Sequence, residues 1–380
     1  MNDKMGHDFI NQFADFMKHS AIQSSSLWQH WGVDSLAPEQ QQEFIQECNK
    51  RYQDFLAGVK IYQETIHQTH RTEPSVIWSL GTAKIYDYSQ TTDKNAPVLF
   101  IVPSLVNHSY ILDLTDETSF IRTMAKQGIR PFLLDWAKLT DDERNFTIED
   151  YFNNYLIPAL SHVASYTKKS VSIMGYCMGG LFALAAAQEK PDLEKLVLLA
   201  TPWDFYKGNE WLIPWLHTSE HYLNHLIDQA GELPAQTLQY MFSMMNPLGV
   251  IRKFRELPSV AENIEKLREF ASVEDWLNDC TPLAPKVAKE CLFDWYKDNT
   301  PFNKKWKINN NIIKPEIIHK QTLCIITEKD QIVHPTSTEP LTKTLPNVRS
   351  INAETGHIGS IIGKKSEEEV INPIVKFLKH

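Results

Sequence analysis

A cysteine between glycines is the residue of this sequence best suited to covalent chemistry. Cys177 stands in the stretch GYCMGG at residues 175–180, directly after a short apolar run. Glycines two positions before and two positions after a residue allow a sharp turn from a strand into a helix, which raises the central side chain above a sheet. The N-terminus of that helix favours the thiolate, which is the nucleophilic form of cysteine. The pattern predicts Cys177 as a nucleophile and the backbone N–H of Met178 as one donor to a developing oxyanion.

A candidate acid and a candidate base follow this cysteine along the chain. Asp330 comes three residues after an apolar run that ends at Thr327, and His357 lies between Gly356 and Gly359. Each residue has a plainer interpretation, since a free cysteine is often an inert core residue, an aspartate often forms a turn, and a histidine often lies on a surface loop. The order nucleophile, acid, base, each after a predicted strand, favours a triad in which His357 is the base and Asp330 orients it.

Two details of this predicted site have alternatives. Asp204 also follows an apolar run, so it is a second candidate for the acid, although it fits better at the entry to the next segment. The second oxyanion donor should come from the loop after the first buried strand, which here is residues 103–107 (PSLVN). We expect that donor to be the backbone N–H of Val106, or else that of Leu105. Asn107 either supports this loop through its side chain or is an ordinary turn residue.

Three histidines form the other pattern that could carry chemistry. His217, His221 and His225 are spaced four residues apart on a predicted helix, so they share one face and could bind a metal. No acidic or cysteine ligand accompanies them at a clear spacing, and the HExxH pattern is absent. We therefore interpret them as a polar helix face, and we expect neither a metal nor another cofactor.

The elements that must position these residues alternate in type along the chain. Short apolar runs that alternate with helices are typical of parallel strands buried on both faces, and hence of a doubly wound α/β sheet. Residues 76–88, interrupted by Gly81, predict a hairpin or a pair of short strands before this pattern begins. The fold class predicted is α/β, specifically the α/β-hydrolase fold, with a mostly parallel sheet, helices on both faces and an inserted helical cap. The predicted strands are 98–102, 131–134, 171–174, 196–200, 322–327 and 348–351, and the predicted helices among them are 120–127, 148–166 (kinked or restarted at Pro158) and 181–188.

A change in composition sets the predicted domain boundaries. Residues 1–74 form an N-terminal helical segment, with a helix at 39–66. Residues 75–202 and 301–380 form the α/β-hydrolase core, which ends in a helix at 367–378. Residues 203–300 contain five tryptophans and six prolines but no clear buried strand, so we interpret them as the cap. Asparagines at 309–311 predict a turn between the cap and the sheet.

Charge and cysteine usage exclude several classes of protein. A formal net charge of −9 over 380 residues argues against a nucleic-acid partner, which requires a basic face. No apolar run approaches the roughly 18 residues that span a bilayer, and the N-terminus lacks the apolar core of a secretory signal. Five scattered cysteines without a CxxC pair are typical of reduced thiols in a cytoplasmic protein.

Five segments of this sequence together form a recognisable pattern. They are the G-x-C-x-G-G box at 175–180, the stretches 102–107 (VPSLVN) and 110–114 (YILDL), and the acid and base regions at 330–333 (DQIV) and 356–359 (GHIG). This pattern resembles the polyhydroxyalkanoate (poly-3-hydroxybutyrate) synthases, in which the box is lipase-like, and the resemblance covers residues 75–363. Leu181 departs from the small residue that many members have after the second glycine of the box.

The resemblance implies an acyltransferase that polymerises (R)-3-hydroxyacyl groups from coenzyme A thioesters. Cys177 would carry the acyl group and release coenzyme A, and His357 would deprotonate Cys177 and later activate a hydroxyl. Asp330 would orient His357 or help to activate the 3-hydroxyl of the substrate. The implied partners are the (R)-3-hydroxyacyl-coenzyme A substrate, the growing polyester chain, and a second synthase subunit or a second copy of this chain. The implied location is the cytoplasm, in association with polyester granules.

Two other functions remain open for this sequence. The same triad would serve a hydrolase, either an intracellular polyester depolymerase or an acyl-coenzyme A thioesterase, because water and a chain-end hydroxyl compete for one acyl-enzyme. Under the resemblance, the aromatic cap would exclude water, which matters because hydrolysis competes with polymerisation. A non-catalytic granule-associated or scaffold protein is the third interpretation, and the presence of Cys177, Asp330 and His357 argues against it.

Overall fold

The computed structural model describes residues 35–65, 71–136 and 138–380. Contacts between residues divide the chain into two compact units. The first unit contains the described residues up to 65 together with Ser243–Asp279. The second contains the described residues from 71 to Phe242 together with Cys280–His380. The predicted boundaries after residues 74, 202 and 300 stay predictions, and the division by contacts falls at other positions in the chain.

An eight-stranded, mostly parallel sheet forms the centre of the second unit. The ten strands of the described residues are β1 (Ser75–Leu80), β2 (Ala83–Asp87), β3 (Val98–Val102), β4 (Arg130–Asp135), β5 (Val171–Tyr176), β6 (Lys195–Leu199), β7 (Lys307–Ile308), β8 (Asn311–Ile312), β9 (Gln321–Thr327) and β10 (Val348–Ala353). The strand order in this sheet is β1-β2-β4-β3-β5-β6-β9-β10. β2 pairs antiparallel with both β1 and β4, and the remaining pairs are parallel. The predicted hairpin and all six predicted strands are present.

Continuous burial explains why the central strands could be predicted. Every residue of β3, β5 and β6 is buried, which suits strands covered on both faces. β7 and β8 form a separate two-stranded hairpin whose turn residues, Asn309 and Asn310, both have positive φ. Asparagine tolerates this left-handed backbone better than most residues, and the predicted turn at 309–311 is confirmed.

Helices connect these strands and also fill the region between β6 and β7. Within the described residues they are α1 (Pro38–Glu64), α2 (Phe120–Lys126), α3 (Ile148–Asp150, the π-helical Tyr151–Leu156, then Ile157–Thr167), α4 (Gly179–Glu189), α5 (Leu212–Ala230), α6 (Ala235–Met245), α7 (Pro247–Glu256), α8 (Ile264–Asn278), α9 (Pro285–Lys289 and the π-helical Glu290–Lys297), α10 (Pro335–Thr344), α11 (Gly359–Ile362) and α12 (the π-helical Glu367–Ile371, then Asn372–Lys379).

One helix changes type where the sequence predicted it, and another was not predicted. α3 changes from π-helical to α-helical at Ile157, one residue before Pro158, in agreement with the predicted kink or restart at this proline. α10 was not predicted at all. Its sequence, PTSTEPLTKT, is rich in threonine and contains Pro340, so the intrinsic preference for a helix is weak. The helix begins at a proline and buries Leu341 completely, and packing therefore outweighs propensity.

The first unit has its own apolar cluster. Phe254 on α7 makes edge-to-face contacts with Phe55 and Tyr62 on α1 and with Phe270 on α8, at centroid distances of 6.1, 5.9 and 5.4 Å. A Cβ at Gly58 would lie 1.8 Å from the carbonyl oxygen of Phe254, so only glycine allows α1 and α7 to approach this closely. The predicted helix at 39–66 is confirmed as α1 as far as Glu64, and residue 66 lies outside the described residues, as do residues 1–34 and 67–70 of the predicted N-terminal segment.

No helix within residues 35–65, 71–136 or 138–380 is both long and apolar enough to cross a bilayer.

Candidate active site

A strained backbone turn presents Cys177 between β5 and α4. Its φ is +57°, a left-handed conformation that a residue with a Cβ adopts at a cost of about 1–3 kcal/mol. The Cys177 N–H donates to the carbonyl oxygen of Leu199 at 2.9 Å, and the Cys177 carbonyl accepts from the Gly180 N–H at 2.9 Å. Cys177 is partly exposed, whereas Cys291 and Cys324 are buried. The predicted sharp turn from strand to helix is therefore present, and the cysteine at this turn is not fully buried.

The glycines of the box are required because neighbouring atoms, two of them in the backbone and one in a side chain, lie too close for a Cβ. A Cβ on Gly175 would lie 2.3 Å from the Cα of Gly180, and a Cβ on Gly180 would lie 2.0 Å from Oγ1 of Thr201. A Cβ on Gly179 would lie 2.1 Å from the carbonyl oxygen of Val102, at the end of β3. The start of α4 is thus pressed against the end of β3, which brings the elbow next to the loop predicted to supply the second oxyanion donor.

Asp330 and His357 form a direct hydrogen-bonded pair. Nδ1 of His357 lies 2.7 Å from Oδ2 of Asp330, which is completely buried. The same carboxylate oxygen accepts from Oγ1 of Thr327 at 2.7 Å, and Oδ1 accepts from the backbone N–H groups of Ile332 and Val333, each at 2.8 Å. Because all these donors surround one carboxylate, the Asp330 side chain is held in a single orientation toward the imidazole.

Electrostatics favour opposite charges on this pair. Burial, the largest single effect on Asp330, raises its pKa, but the His357 imidazole and hydrogen bonds from His357, Thr327 and Val333 together lower the pKa below the ordinary aspartate value. Burial likewise lowers the pKa of His357, yet Asp330 and Cys177, through charge and through hydrogen bonds, raise that pKa well above the ordinary histidine value. Asp330 and His357 are therefore hydrogen-bonded, and the imidazole is close enough to Cys177 for the two groups to interact electrostatically. The catalytic roles of the three residues stay a prediction.

Asp204, the second candidate for the acid, forms hydrogen bonds with other partners. Oδ1 of Asp204 accepts from Nδ2 of Asn299 at 2.8 Å and from the Tyr206 N–H at 3.2 Å. Asn299 Oδ1 in turn accepts from the Phe205 N–H at 3.0 Å. These bonds tie the chain after β6 to the end of α9, and the carboxylate that bonds His357 is that of Asp330.

The loop after β3 is held from several sides. The Val106 N–H, the predicted second oxyanion donor, donates to Oγ of Ser104 at 3.1 Å, so in this structure it serves the loop itself. Nε1 of Trp136 donates to the Pro103 carbonyl at 3.0 Å. Asn107 pairs with Cys280 in an isolated antiparallel bridge, while its buried Oδ1 finds no hydrogen-bond partner within the described part of the chain. The roles of Val106 and Met178 as oxyanion donors stay predictions.

The three spaced histidines lie on one exposed side of α5, at positions 217, 221 and 225. No three His, Cys, Asp or Glu side chains among the described residues are grouped so as to hold a metal ion.

Two tyrosines that sequence analysis did not single out adjoin the site. The ring of Tyr176, the residue before the cysteine, stacks on the His357 imidazole with centroids 5.0 Å apart. Tyr296 on α9 packs edge-to-face on Phe205 at 4.9 Å, and its pKa is raised by burial and by the charges of Cys177, Cys291 and Asp330. Position 176 is adjacent to the predicted nucleophile in the sequence, which is a signal for its place beside the site. Nothing in the local sequence marks position 296.

Comparison with known families decides the fold family. The family model for the alpha/beta hydrolase fold matches residues 97–363, most of the chain. This chain belongs to the α/β-hydrolase fold family. The predicted fold class is thereby confirmed, and the elbow at Cys177 and the pair formed by Asp330 and His357 lie within the matched residues of this α/β hydrolase.

Sequence relatives of this α/β hydrolase confirm the predicted resemblance to the polyhydroxyalkanoate synthases. It is 25% identical to the poly(3-hydroxyalkanoate) polymerase subunit PhaC of Synechocystis sp., over 89% of this chain and 93% of that protein. It is 25% identical to the protein of the same name from Allochromatium vinosum, over 77% and 84% of the two chains. With that of Haloferax mediterranei the identity is 26%, over 79% of this chain, which spans 62% of that relative's length.

Solved structures agree with this α/β-hydrolase fold at low sequence identity. A putative non-heme bromoperoxidase, BpoC of Mycobacterium tuberculosis, superposes with a TM-score of 0.51 at 12% identity, covering 82% of this chain and 98% of its own. MenH of S. aureus superposes with a TM-score of 0.50 at 15% identity, covering 79% and 98%. At these identities the similarity establishes the fold.

Proposed function

We propose that this α/β hydrolase polymerises (R)-3-hydroxyacyl groups, taken from coenzyme A thioesters, through a covalent acyl–Cys177 enzyme. The observation that carries the proposal is a partly exposed cysteine on a strained elbow whose base, His357, is already bonded to a buried carboxylate. Relatives that are named poly(3-hydroxyalkanoate) polymerase subunits and that match most of this chain support the substrate class.

The first half-reaction transfers the acyl group to sulfur. His357 accepts the thiol proton of Cys177, and the thiolate attacks the thioester carbonyl, which forms a tetrahedral oxyanion. The oxyanion is stabilised by backbone N–H groups, for which Met178 and Val106 are the proposed donors. Collapse of this intermediate breaks the bond to the coenzyme A sulfur, which leaves as the thiol after taking the proton from His357. Because one thioester replaces another, the step is nearly balanced in energy.

The second half-reaction extends the polyester. The hydroxyl at the end of a growing chain gives its proton to His357 while its oxygen attacks the acyl–Cys177 carbonyl. The new ester bond forms as the bond to the Cys177 sulfur breaks, and the proton returns from His357 to the sulfur. We propose that Asp330 holds the imidazole in the tautomer that leaves Nε2 free for both transfers, because its carboxylate engages Nδ1.

Partners and location follow from the same proposal. We propose the (R)-3-hydroxyacyl-coenzyme A thioester and the growing polyester chain as ligands, at the surface of cytoplasmic polyester granules. The relatives are named as subunits, which supports a requirement for a second synthase subunit or for a second copy of this chain.

One assay tests the proposal. Purified protein receives (R)-3-hydroxybutyryl-coenzyme A, with and without an extract of the source cells to supply a partner, and free thiol, polymer and free 3-hydroxybutyrate are quantified. We expect thiol release with polymer as the main product. Free acid without polymer would identify a thioesterase or depolymerase instead, and no thiol release under either condition would identify a non-catalytic protein.

Two cysteine variants make the assay specific. Cys177→Ala should abolish thiol release, because the acyl group then has no nucleophile. Cys48→Ala is the matched control, since Cys48 is an exposed cysteine on α1, and it should keep the wild-type rate. Full activity in Cys177→Ala would remove the assignment of the nucleophile.

A further inference from the structure

The residue that precedes Cys177 contacts the base of the proposed triad in two ways. Tyr176 is the last residue of β5 and is 4% exposed. Its ring lies against the His357 imidazole, with 5.0 Å between centroids and 29° between planes. Its hydroxyl donates to the His357 backbone carbonyl at 3.2 Å. One side chain thus contacts both the ring and the backbone of the histidine.

The His357 loop has a second anchor that contacts its backbone. Oγ of Ser360 donates to the same His357 carbonyl at 2.6 Å, and the Ser360 N–H donates to the carbonyl of Gly356 at 2.9 Å. Ser360 is completely buried, and its own carbonyl accepts from Oγ of Ser366 at 2.7 Å. The path of the loop is therefore secured by Ser360, whereas the plane of the imidazole is contacted by the Tyr176 ring.

We infer that Tyr176 is a positioning residue whose ring holds the His357 imidazole in the plane that joins Asp330 to Cys177 and stabilises that imidazole in its protonated form. The inference rests on the proposed function and adds to it the residue that orients the proposed base, His357. The face of an aromatic ring carries negative potential, and it attracts a cation whose centre lies within about 6 Å. The centroid distance of 5.0 Å meets this condition.

The position of Tyr176 in the chain couples the two partners of the proton transfer. Tyr176 and Cys177 are adjacent, and the backbone between them leads directly into the strained φ of +57° at Cys177. Any displacement of this turn would move the thiol and the ring that supports the imidazole together. The distance between the Cys177 sulfur and the His357 imidazole is therefore maintained by two consecutive residues, Tyr176 at the end of β5 and Cys177 directly after it.

The other groups around the imidazole are consistent with a protonated ring. The titratable groups with the largest effects on its pKa are Asp330 and Cys177, and Tyr296 interacts electrostatically with both of these. Burial, with the charges of Cys177 and Asp330, raises the pKa of Tyr176 well above the ordinary tyrosine value, and burial also raises that of Tyr296. Both phenols are therefore neutral at physiological pH, and the Tyr176 ring presents an uncharged π face.

The test measures the reactivity of Cys177 without any substrate. Intact protein is alkylated with iodoacetamide between about pH 5 and pH 9, a range that spans the titration of histidine, and the rate at Cys177 is followed by peptide mass spectrometry. Wild-type Cys177 should react much faster than the exposed Cys48 at the acidic end of this range, because a protonated His357 sustains the thiolate. If both cysteines react alike at every pH, the proposed function itself fails.

Variants of Tyr176 then separate the ring from the hydroxyl. Tyr176→Leu should slow alkylation of Cys177 roughly tenfold at the acidic end of the range, because one cation–π interaction with the imidazolium is lost, and should move the midpoint of the pH profile upward. Tyr176→Phe, which keeps the ring, should restore the rate to within about twofold of wild type. Ser360→Ala, which removes the other bond to the His357 carbonyl, should keep the wild-type midpoint.

The same variants define what would overturn the inference. With a reactive wild-type Cys177 and a Tyr176→Leu protein that is folded by circular dichroism, a superimposable pH profile would exclude a role for the ring. An equal loss in Tyr176→Phe would assign the effect to the hydroxyl, and an equal shift in Ser360→Ala would assign it to loop anchoring; either result overturns the inference. If Tyr176→Leu does not fold, Tyr176→Met, which also lacks a ring, takes its place.

Discussion

At the scale of single residues, the carboxylate of Asp330 is the best-defined group of the site. Its two oxygens accept four hydrogen bonds, two from backbone N–H groups, one from Oγ1 of Thr327 and one from the His357 imidazole. Burial alone would favour the neutral acid, and these donors together with the imidazole outweigh it. The ionised carboxylate then stabilises the imidazolium, so each partner of the pair favours the charged form of the other.

Replacement of Asp330 by asparagine tests this mutual stabilisation. Asp330→Asn keeps the size of the side chain but removes its charge, so the pKa of His357 should fall and the imidazolium should be lost at a lower pH than in the wild type. The thiolate of Cys177 would then lose its counter-ion, and thiol release should fall by about two to four orders of magnitude. The measurement is the rate of coenzyme A release as a function of pH.

A second aspartate provides the control for that experiment. Asp204→Asn changes a buried carboxylate that bonds Asn299 and Tyr206. We expect this variant to keep the wild-type pH profile once its folding has been verified. A loss in Asp204→Asn equal to that in Asp330→Asn, or no loss in Asp330→Asn, would contradict the assignment of the acid.

At the scale of secondary-structure elements, the site depends on the close contact between the start of α4 and the end of β3. A methyl group on Gly179 would lie 2.1 Å from the Val102 carbonyl oxygen and 2.8 Å from that of Pro103. Both atoms belong to the backbone, so they cannot move aside as a flexible side chain would. The elbow and the loop after β3 are consequently one packed arrangement, and a change in either displaces the other.

Substitution of this glycine should affect activity and stability together. Gly179→Ala should lower the free energy of unfolding by about 1–3 kcal/mol, as overpacking does, and should reduce thiol release further because the loop after β3 is displaced. Urea unfolding and the thiol assay measure the two effects. Gly359→Ala is the matched control for stability, since its methyl group would meet no atom within 4 Å, and a similar loss of stability there would contradict the argument.

At the scale of the whole molecule, the chain contains two units whose cores are distinct. The sheet and its helices bury one large apolar cluster in the second unit. The first unit buries a smaller cluster around Phe254, to which α1, α7 and α8 contribute. Because α1 precedes the sheet in the chain and α7 and α8 follow β6, the first unit is assembled from segments that are distant in sequence.

The smaller core predicts a local change in stability. Phe254→Ala removes a ring that is 1% exposed, which typically costs about 3–5 kcal/mol, and that loss should fall on the first unit. Limited proteolysis with mass spectrometry should therefore detect faster cleavage within residues 35–65 and 243–279, while alkylation of Cys177 keeps its wild-type rate. Leu248→Ala, at a residue 76% exposed, is the control, and equal cleavage of the two variants would contradict the prediction.

Much of the second unit could be predicted from the sequence because its signals are local. A strand such as β3 or β6 is a continuous apolar run that ends at a turn residue, and this pattern holds whatever else the chain contacts. The GYCMGG stretch likewise carries a local signal for its turn, since a Cβ on Gly175 would collide with the backbone of Gly180. The order of Cys177, Asp330 and His357, each after a strand, then indicated which side chains meet.

Other features depended on contacts between distant parts of the chain, which a single sequence does not encode in any short segment. The choice of Asp330 over Asp204 is made by hydrogen-bond geometry, and both aspartates follow a strand. The threonine-rich α10 forms because packing outweighs a weak local preference for a helix.

The sequence by itself determined the fold class, the elbow and the order of the candidate triad, because glycine sterics and hydrophobic periodicity act over a few residues. Tertiary structure alone decided that the Tyr176 ring lies on an imidazole 181 positions further along the chain, and that α1 shares a core with α7 and α8. Such contacts are set by how whole elements pack, and packing depends on shape and burial summed over the entire chain.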